Sequence, residues 1–468
     1  MNTVLLTPLL SERDAAAGTE GGIDPLGLAA IADRLGSVLV PGVRERQLHP
    51  RFLTAIAVSL AVCEEFEHDT VAEDGVSEPW QVFEWYLVEG LVRTSRSNGD
   101  EPPDDNVATT NVTRDELKTT RGVPGSRKAR QALDENFTLS AKRYLRTPTV
   151  FGFHGVYRVL ARTLGIEDND TGGLGKAGTE LVQVWSKERG LPGFIGTAEG
   201  PGRAVLRDLR NAVASGLVAA RTTKSDGWAG WKFFREHLDL YSAGKDEAKF
   251  IIDCLLSHQG DEYGYRREAL SFLISAEGRN IFKSHNSERA FHAALRNQAS
   301  EGLRQLLDAI DCYEAFARLC QDAFDVCLVE MALPNSKVTA SHFGNLDSVK
   351  QAAERVPAMF QDLLNRLEPF GESARLRESC GLLAEHCLPM EWARLLLKHH
   401  SETQQRKQPV PKLPWVIELD GGRWQIRSQY QRRYTQGSNA AQEKRDRYVH
   451  GYRTNSLWNF ACDLKVVP

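Results

Sequence analysis

The sequence predicts a mainly α fold: a multi-helix body with a candidate winged-helix module and a small C-terminal β-hairpin. From Arg203 to Gln405, apolar residues recur near the 3.6-residue period of an amphipathic helix. The clearest β-rich runs lie near the C-terminus, where they flank Asp420-Gly421-Gly422 in the stretch WVIELDGGRWQIR. A short turn of this composition between two such runs is typical of a hairpin.

Composition and periodicity divide the 468 residues into five segments. They are a flexible leader (1–22), an N-terminal helical domain (23–147) with an acidic loop (96–113), a candidate winged-helix module (148–200), a central helical domain (201–405) and a basic-aromatic C-terminal segment with the hairpin (406–468). The leader is small, polar and glycine-rich, and the acidic loop has the composition of an exposed insertion.

The N-terminal domain has the start signals of several helices. Asp24 followed by Pro25 has the pattern of an N-cap and a first helical position. Further helices are predicted through Phe52–Cys63 and Trp80–Leu91. A pair of basic helices should then end the domain, and its cationic residues are Arg121, Arg127, Lys128, Arg130, Lys142, Arg143 and Arg146.

The candidate winged-helix module is predicted from a helix, a turn and a second helix. The first helix should end at Gly165, as a C-cap glycine, and a polar, glycine-rich connection follows. Leu181, Val182 and Trp185 then resume a helical face. This order favours a module that docks on DNA or protein, whereas the alternative is two ordinary helices joined by a turn.

The central domain should contain one long core helix of about 30 residues, since apolar residues from Leu303 to Phe324 keep helical spacing. Cys312, Cys320 and Cys327 fall along this helix and are interpreted as packing residues. The eight cysteines of the chain lack CxxC spacing, which is typical of reduced thiols.

The C-terminal segment has a basic-aromatic composition. Between Arg423 and Arg453 there are eight Lys or Arg residues against two acids. Arginine binds phosphates and aromatic rings stack on bases, so we expect a nucleic-acid-binding surface here. The predicted contact residues are Arg423, Trp424, Arg427, Arg432, Arg433, Tyr434, Arg445, Arg447 and Arg453. The alternative is a solvated surface whose aromatic residues anchor the tail on the helical body.

No arrangement of residues in the sequence predicts a catalytic centre, so we expect no catalytic residues, no bound metal and no cofactor. HExxH, GxSxG and the phosphate-binding GxxxxGK[ST] pattern are missing. Cys380, His386 and Cys387 are too few for a closed zinc site. A metal-dependent nuclease would need Glu418 and Asp420 on the hairpin, but Asp420 is better explained as a turn residue.

Composition places the chain among ordinary globular proteins. A hydrophobic content of 41% is ordinary for a globular protein. The net charge of −4 is small and does not indicate a general polyanion binder. The first residues lack the basic n-region of a signal peptide, and no apolar run is long enough to span a membrane. We therefore expect a cytoplasmic protein without membrane contact.

Several blocks, in order, carry a family resemblance: DPLGLAAIADRLGSVLVPGVRERQLHPRFLTAIAV, YRVLARTLGI with LGKAGTELVQVW, AKFIIDCLLSH, LDAIDCYEAFARLCQDAF and HGYRTNSLWNFACDL. Together they resemble poorly characterised, mainly helical bacterial proteins of anti-phage defence neighbourhoods. The resemblance covers most of the chain but supplies no catalytic residue. It implies a defence-associated component that works with other protein subunits.

These observations predict a non-catalytic component that binds DNA or scaffolds a partner enzyme in a bacterial defence complex. One alternative is a protein-interaction subunit without nucleic-acid contact, whose basic tail meets an acidic partner surface. A second alternative is an unrecognised metal-dependent nuclease.

Overall fold

The computed structural model describes residues 24–97, 122–285, 287–333, 338–408, 411–435 and 447–467. The side chains of residues 94–97 and 432–435 are not described. The predicted leader and most of the predicted acidic loop therefore lie outside the described residues.

Helices dominate the described residues, as the periodicity predicted. In chain order they are α1 Ala29–Leu39, α2 Phe52–Cys63, α3 Pro79–Ser97, α4 Ser126–Asp134, α5 Pro148–Phe151, α6 Phe153–Thr163, α7 Lys176–Glu188, α8 Pro201–Ala219, α9 Ala229–His237, α10 Lys245–Leu256, α11 Tyr265–Ile274, α12 Ala276–His285, α13 Glu288–Leu295, α14 Glu301–Ala332, α15 Ala340–Phe343, α16 Asp347–Leu367, α17 Ser373–Cys380, α18 Pro389–Arg406, α19 Ser428–Thr435 and α20 Thr454–Asp463. Two short 3₁₀ helices cover Glu368–Phe370 and Gly381–Ala384.

Three short strands form one antiparallel sheet: β1 Val338–Thr339, β2 Val416–Leu419 and β3 Arg423–Ile426. The strand order is β1-β3-β2, with Val338 opposite Trp424 and Glu418 opposite Trp424. The predicted hairpin is thus confirmed as β2–β3, and β1 is an added strand that the sequence did not indicate. Gly421 and Gly422 have φ of +80° and +70°, a conformation that only glycine adopts readily.

The chain divides into two compact units. The first contains the described residues 41–274 and 456–467, and the second contains 24–40 and 275–455. In the first unit α2 is buried on every side from Phe52 to Val62 and packs against α3, α6, α7 and α8. A helix that is apolar on all sides is typically buried in a core, and α2 is the buried core helix of the first unit.

The second unit is built on α14, which packs most extensively against α16 and also contacts α1, α18, α19 and β3. The predicted long core helix is confirmed, because the residues predicted to face the core are buried. They are Leu303, Leu306, Leu307, Ile310, Phe316, Leu319, Ala323 and Phe324. Cys320 and Cys327 are also buried, whereas Cys312 is partly exposed.

The first helix begins later than the sequence predicted. Both oxygens of Asp24 accept backbone hydrogen bonds, at 2.9 Å from Leu28 N and 3.0 Å from Ala29 N. Residues 25–27 form a bend that includes Gly27 at φ +72°, and α1 begins at Ala29. Asp24 therefore caps the turn that leads into the helix, and Pro25 is not its first residue.

The segment 148–200 contains the predicted helix-turn-helix but no wing. α6 ends at Thr163 with Leu164 as its C-cap, and the predicted glycine follows directly, with Gly165 at φ +69°. α7 buries Leu181, Val182 and Trp185. All of 148–200 is described, and it holds no β-strand, only an isolated antiparallel bridge between Glu167 and Leu174. The winged-helix module is therefore not confirmed.

Candidate nucleic-acid interface

The hairpin β2–β3 places the first predicted contact residues on opposite faces. Side chains alternate along a strand, so Arg423 and Gln425 are exposed while Trp424 and Ile426 are buried. The Arg423 Nε donates to the Asp420 carbonyl oxygen at 3.2 Å, which holds the guanidinium beside the turn.

The predicted arginines have different environments. Arg423 and Arg447 are exposed, whereas Arg427 is half-buried, with its Nε donating to the Pro414 carbonyl oxygen at 2.8 Å. The backbone of Arg432, Arg433 and Tyr434 belongs to α19, but their side chains are not described, and Arg445 lies outside the described residues.

Trp424 and Arg453 are buried and serve as anchors in the second unit. Trp424 is 5% exposed, so its ring does not offer a face to a base. Arg453 is 6% exposed, and its guanidinium donates to the Asp33 carbonyl oxygen at 3.0 Å and to Asp33 Oδ1 at 2.6 Å. These two predicted contacts are thus engaged in tertiary packing.

Other aromatic residues of the tail are also engaged in packing. Tyr430 stacks on Trp415, with ring centroids 5.0 Å apart. Tyr448 donates to Asp311 Oδ1 at 2.5 Å, and burial beside this carboxylate raises the pKa of the Tyr448 phenol. Tyr452 is fully buried and donates to Glu314 at 2.8 Å. These aromatic residues therefore anchor the tail on the helical body.

Two buried carboxylates hold the tail in place. Glu314 on α14 lies 2.7 Å from the Nδ1 of His450 as well as accepting from Tyr452. Glu288, the first residue of α13, accepts from Tyr452 N at 2.9 Å and from Thr454 N at 2.7 Å, where α20 begins. Sequence reasoning did not find these residues, because nothing local marks a helical glutamate as the partner of a segment far along the chain.

A cleft of about 410 Å³ opens beside the hairpin. We call it the hairpin cleft, and it is lined by Arg394, Leu395, Lys398, Ser401, Glu418 and Trp424. The two cations and Ser401 come from α18 at spacings of four and three residues, which places them on one helix face. Sequence reasoning missed them, although the spacing in ARLLLKHHS was a usable signal.

The cations of the hairpin cleft are exposed and loosely paired. Arg394 is 57% exposed and lies 3.8 Å from Glu418 Oε1, and Lys398 is 62% exposed and lies 3.9 Å from Glu402 Oε1. Exposed pairs at such distances contribute between roughly 0 and 1 kcal/mol. Either side chain can therefore exchange its carboxylate for a phosphate at little cost.

The described residues hold no group of three His, Cys, Asp or Glu side chains positioned to bind a metal ion together. Of the residues considered for zinc, Cys380 is buried, His386 is exposed and Cys387 is partly exposed. Of those considered for a nuclease, Glu418 faces Arg394 and Asp420 lies in the hairpin turn.

Within the part of the chain that the structure describes, no helix combines the length and apolarity needed to cross a membrane. No protein-family model matches the chain, and no curated protein and no solved structure is significantly similar to it.

Proposed function

We propose that the protein is a non-catalytic component that binds DNA, or scaffolds a partner enzyme, in a bacterial defence complex. The defence setting rests on the sequence resemblance alone. DNA contact rests on one observation, the exposed cations Arg394 and Lys398 that line the hairpin cleft, with Arg423 exposed on the other face of the hairpin.

Duplex DNA fits this surface better than a single strand. Binding to a single strand gains much of its strength from bases that stack on aromatic rings. Trp424 is buried and Tyr430 is stacked on Trp415, so these rings are occupied. Arginine and lysine side chains that hold phosphates need only exposed charge, which Arg394, Lys398 and Arg423 provide.

The test is the salt dependence of binding to a short duplex. Replacing two phosphate-contacting cations should reduce the slope of log K against log salt by about 1.8, because each contact contributes about 0.9 on B-DNA. The variant is Arg394→Ala with Lys398→Ala. Its matched control is Lys350→Ala with Arg355→Ala, which removes two exposed positive charges from α16 in the same unit.

Equal slopes of log K against log salt for the variant, the control and the unmodified protein would show that the hairpin cleft does not contact the duplex. If the unmodified protein fails to bind duplex DNA even at low salt, alone or with partner subunits, the protein-interaction alternative replaces DNA binding. Metal-dependent cleavage of a plasmid by the purified chain would instead establish the nuclease alternative.

A further inference from the structure

The first unit carries a separate cationic surface that the proposed function does not use. It is formed by the N-terminal part of α4 and by the loop that follows this helix. Its exposed cations include Lys128, Lys142, Arg143 and Arg146. The sequence predicted a basic helix pair here, but the described residues of this segment form only α4, and residues 137–147 are a loop. We call this region the Tyr144 surface.

Tyr144 holds the loop against the start of α4. Its ring packs so closely on Gly125 that a Cβ at that position would lie 2.3 Å from Tyr144 Cε2. The phenol oxygen lies 2.8 Å from Glu84 Oε1 and 3.2 Å from the Pro124 carbonyl oxygen. Because Arg143 and Arg146 lie within two residues of Tyr144 in the chain, this contact places their backbone near the start of α4.

The far end of the loop is also tied to α4. Phe137 N donates to the Ala132 carbonyl oxygen at 2.7 Å, and the Arg143 guanidinium carbon lies 3.2 Å from the centroid of the Phe137 ring. The loop therefore runs alongside the helix, from its C-terminal end back to Gly125. The loop that carries Lys142, Arg143 and Arg146 thus lies against a helix only about 14 Å long, and Lys128 is on that helix.

The described acids nearest to the Tyr144 surface in the chain, Asp134 and Glu135, lie at the C-terminal end of α4. Among the described residues, no carboxylate pairs with Lys128, Lys142, Arg143 or Arg146. The first turn of α4 has no acidic residue, and no side chain caps its N-terminus, where Gly125 has φ +78°. The positive end of the helix dipole thus adds to the charge of the side chains.

We propose that the Tyr144 surface binds the phosphodiester backbone of a duplex nucleic acid. Lysine and arginine side chains beside a helix N-terminus are the usual donors to phosphate oxygens. The centre of a protein–protein interface is usually apolar, with aromatic residues enriched. The exposed aromatic ring of this surface, Phe137, lies beneath the Arg143 guanidinium. The groups that a binding partner would contact are therefore mainly charged.

The test uses the full chain with Lys142→Ala and Arg146→Ala combined. The matched control is Lys232→Ala with Arg235→Ala, which removes two exposed cations from α9 in the same unit. Binding is titrated against salt with duplex DNA and, in parallel, with duplex RNA of the same sequence. The Tyr144-surface variant should lower the salt slope on duplex DNA by about 1.8 while the control leaves it unchanged. Comparison of the two titrations shows whether the surface prefers the backbone of duplex DNA or that of duplex RNA.

The hairpin-cleft variant measured alongside separates this inference from the proposed function. If only that variant changes the slope, the Tyr144 surface does not contact the duplex and the inference fails, while the proposed function stands. If only the Tyr144-surface variant changes the slope, the duplex binds at the Tyr144 surface and the hairpin cleft is removed from the interface, while DNA binding itself stands.

Lysine-reactive labelling of the unmodified protein gives a readout that does not depend on the fold of a variant. A bound duplex should protect Lys128 and Lys142 from modification while Lys232 stays reactive. Equal labelling of all three lysines with and without the duplex would overturn the inference. Protection by an acidic protein but by neither duplex would assign the surface to a protein partner.

Discussion

Replacing Glu84 with glutamine should remove a pH dependence of stability that this buried carboxyl imposes. Glu84 lies on α3, is fully buried, and has Oε1 2.8 Å from the Tyr144 phenol and Oε2 3.2 Å from His154 N. Burial raises the pKa of Glu84 from 4.5 to about 7, although the hydrogen bonds from Tyr144 and from the start of α6 oppose this.

The size of the effect follows from the two pKa values. A pKa that is 4.5 in the unfolded chain and about 7 in the fold corresponds to about 3 kcal/mol. Because the folded value is the higher one, the native state binds the proton more tightly. This stabilisation is complete below pH 4.5, falls as the pH rises towards 7, and is absent above it.

The substitution Glu84→Gln would reproduce the protonated state. A protonated Glu84 can donate to the Tyr144 oxygen while the Tyr144 hydroxyl donates to the Pro124 carbonyl oxygen. The amide of a glutamine side chain keeps this arrangement and still accepts from His154 N through its oxygen. Glu84→Gln should therefore match the unmodified protein near pH 4.5 and be more stable by about 3 kcal/mol at pH 8.

The assay is urea unfolding of both proteins at pH values from 4.5 to 8.5. The difference between the two free energies of unfolding isolates residue 84, because other titrating groups are common to both. Tyr144→Phe serves as a second variant, since it removes the phenol and leaves the Glu84 carboxyl buried. Parallel curves for the unmodified protein and Glu84→Gln across this range would refute the reasoning.

Two further predictions concern the second unit. His400 has Nδ1 2.8 Å from the Pro25 carbonyl oxygen, while its Nε2 accepts from Trp415 N, and burial lowers its pKa to about 4. An NMR titration should find this imidazole neutral at pH 5.5. The free energy of unfolding should decrease as the pH falls from 6.5 towards 4. Titration of the imidazole near pH 6.5 would contradict this prediction. Phe316 is fully buried on α14, so Phe316→Ala should lower the free energy of unfolding in urea by about 3–5 kcal/mol. A decrease below about 0.5 kcal/mol would show that Phe316 does not lie on the buried face of α14.

Much of the helical architecture could be predicted because it depends on local periodicity. The core helices α2 and α14 and the hairpin β2–β3 agree with the sequence patterns that predicted them. The prediction of a second basic helix was wrong. The Tyr144 side chain is buried against Gly125, and the chain around it forms a loop. Amphipathic spacing alone cannot show that one aromatic residue is anchored by a distant glutamate.

The candidate site was predictable only in part. Arginine and aromatic residues in the tail led to the predicted nucleic-acid contacts, but the chemistry of these side chains is the same whether they bind a ligand or the protein itself. Arg453 pairs with Asp33, 420 positions away, and Tyr452 with Glu314. Arg394 and Lys398 lie outside the segment that composition singled out, yet they line the hairpin cleft.

The sequence by itself determined the helical content, the long core helix and the hairpin, because each depends on residues close together in the chain. The tertiary structure alone decided which cations face solvent and which are buried beside a carboxylate. Burial and charge pairing depend on segments that meet only after folding, as Arg453 meets Asp33 and Tyr144 meets Glu84. The two cationic surfaces therefore emerge from the fold, although the helices that contribute to them, α4 and α18, were already evident in the residue pattern.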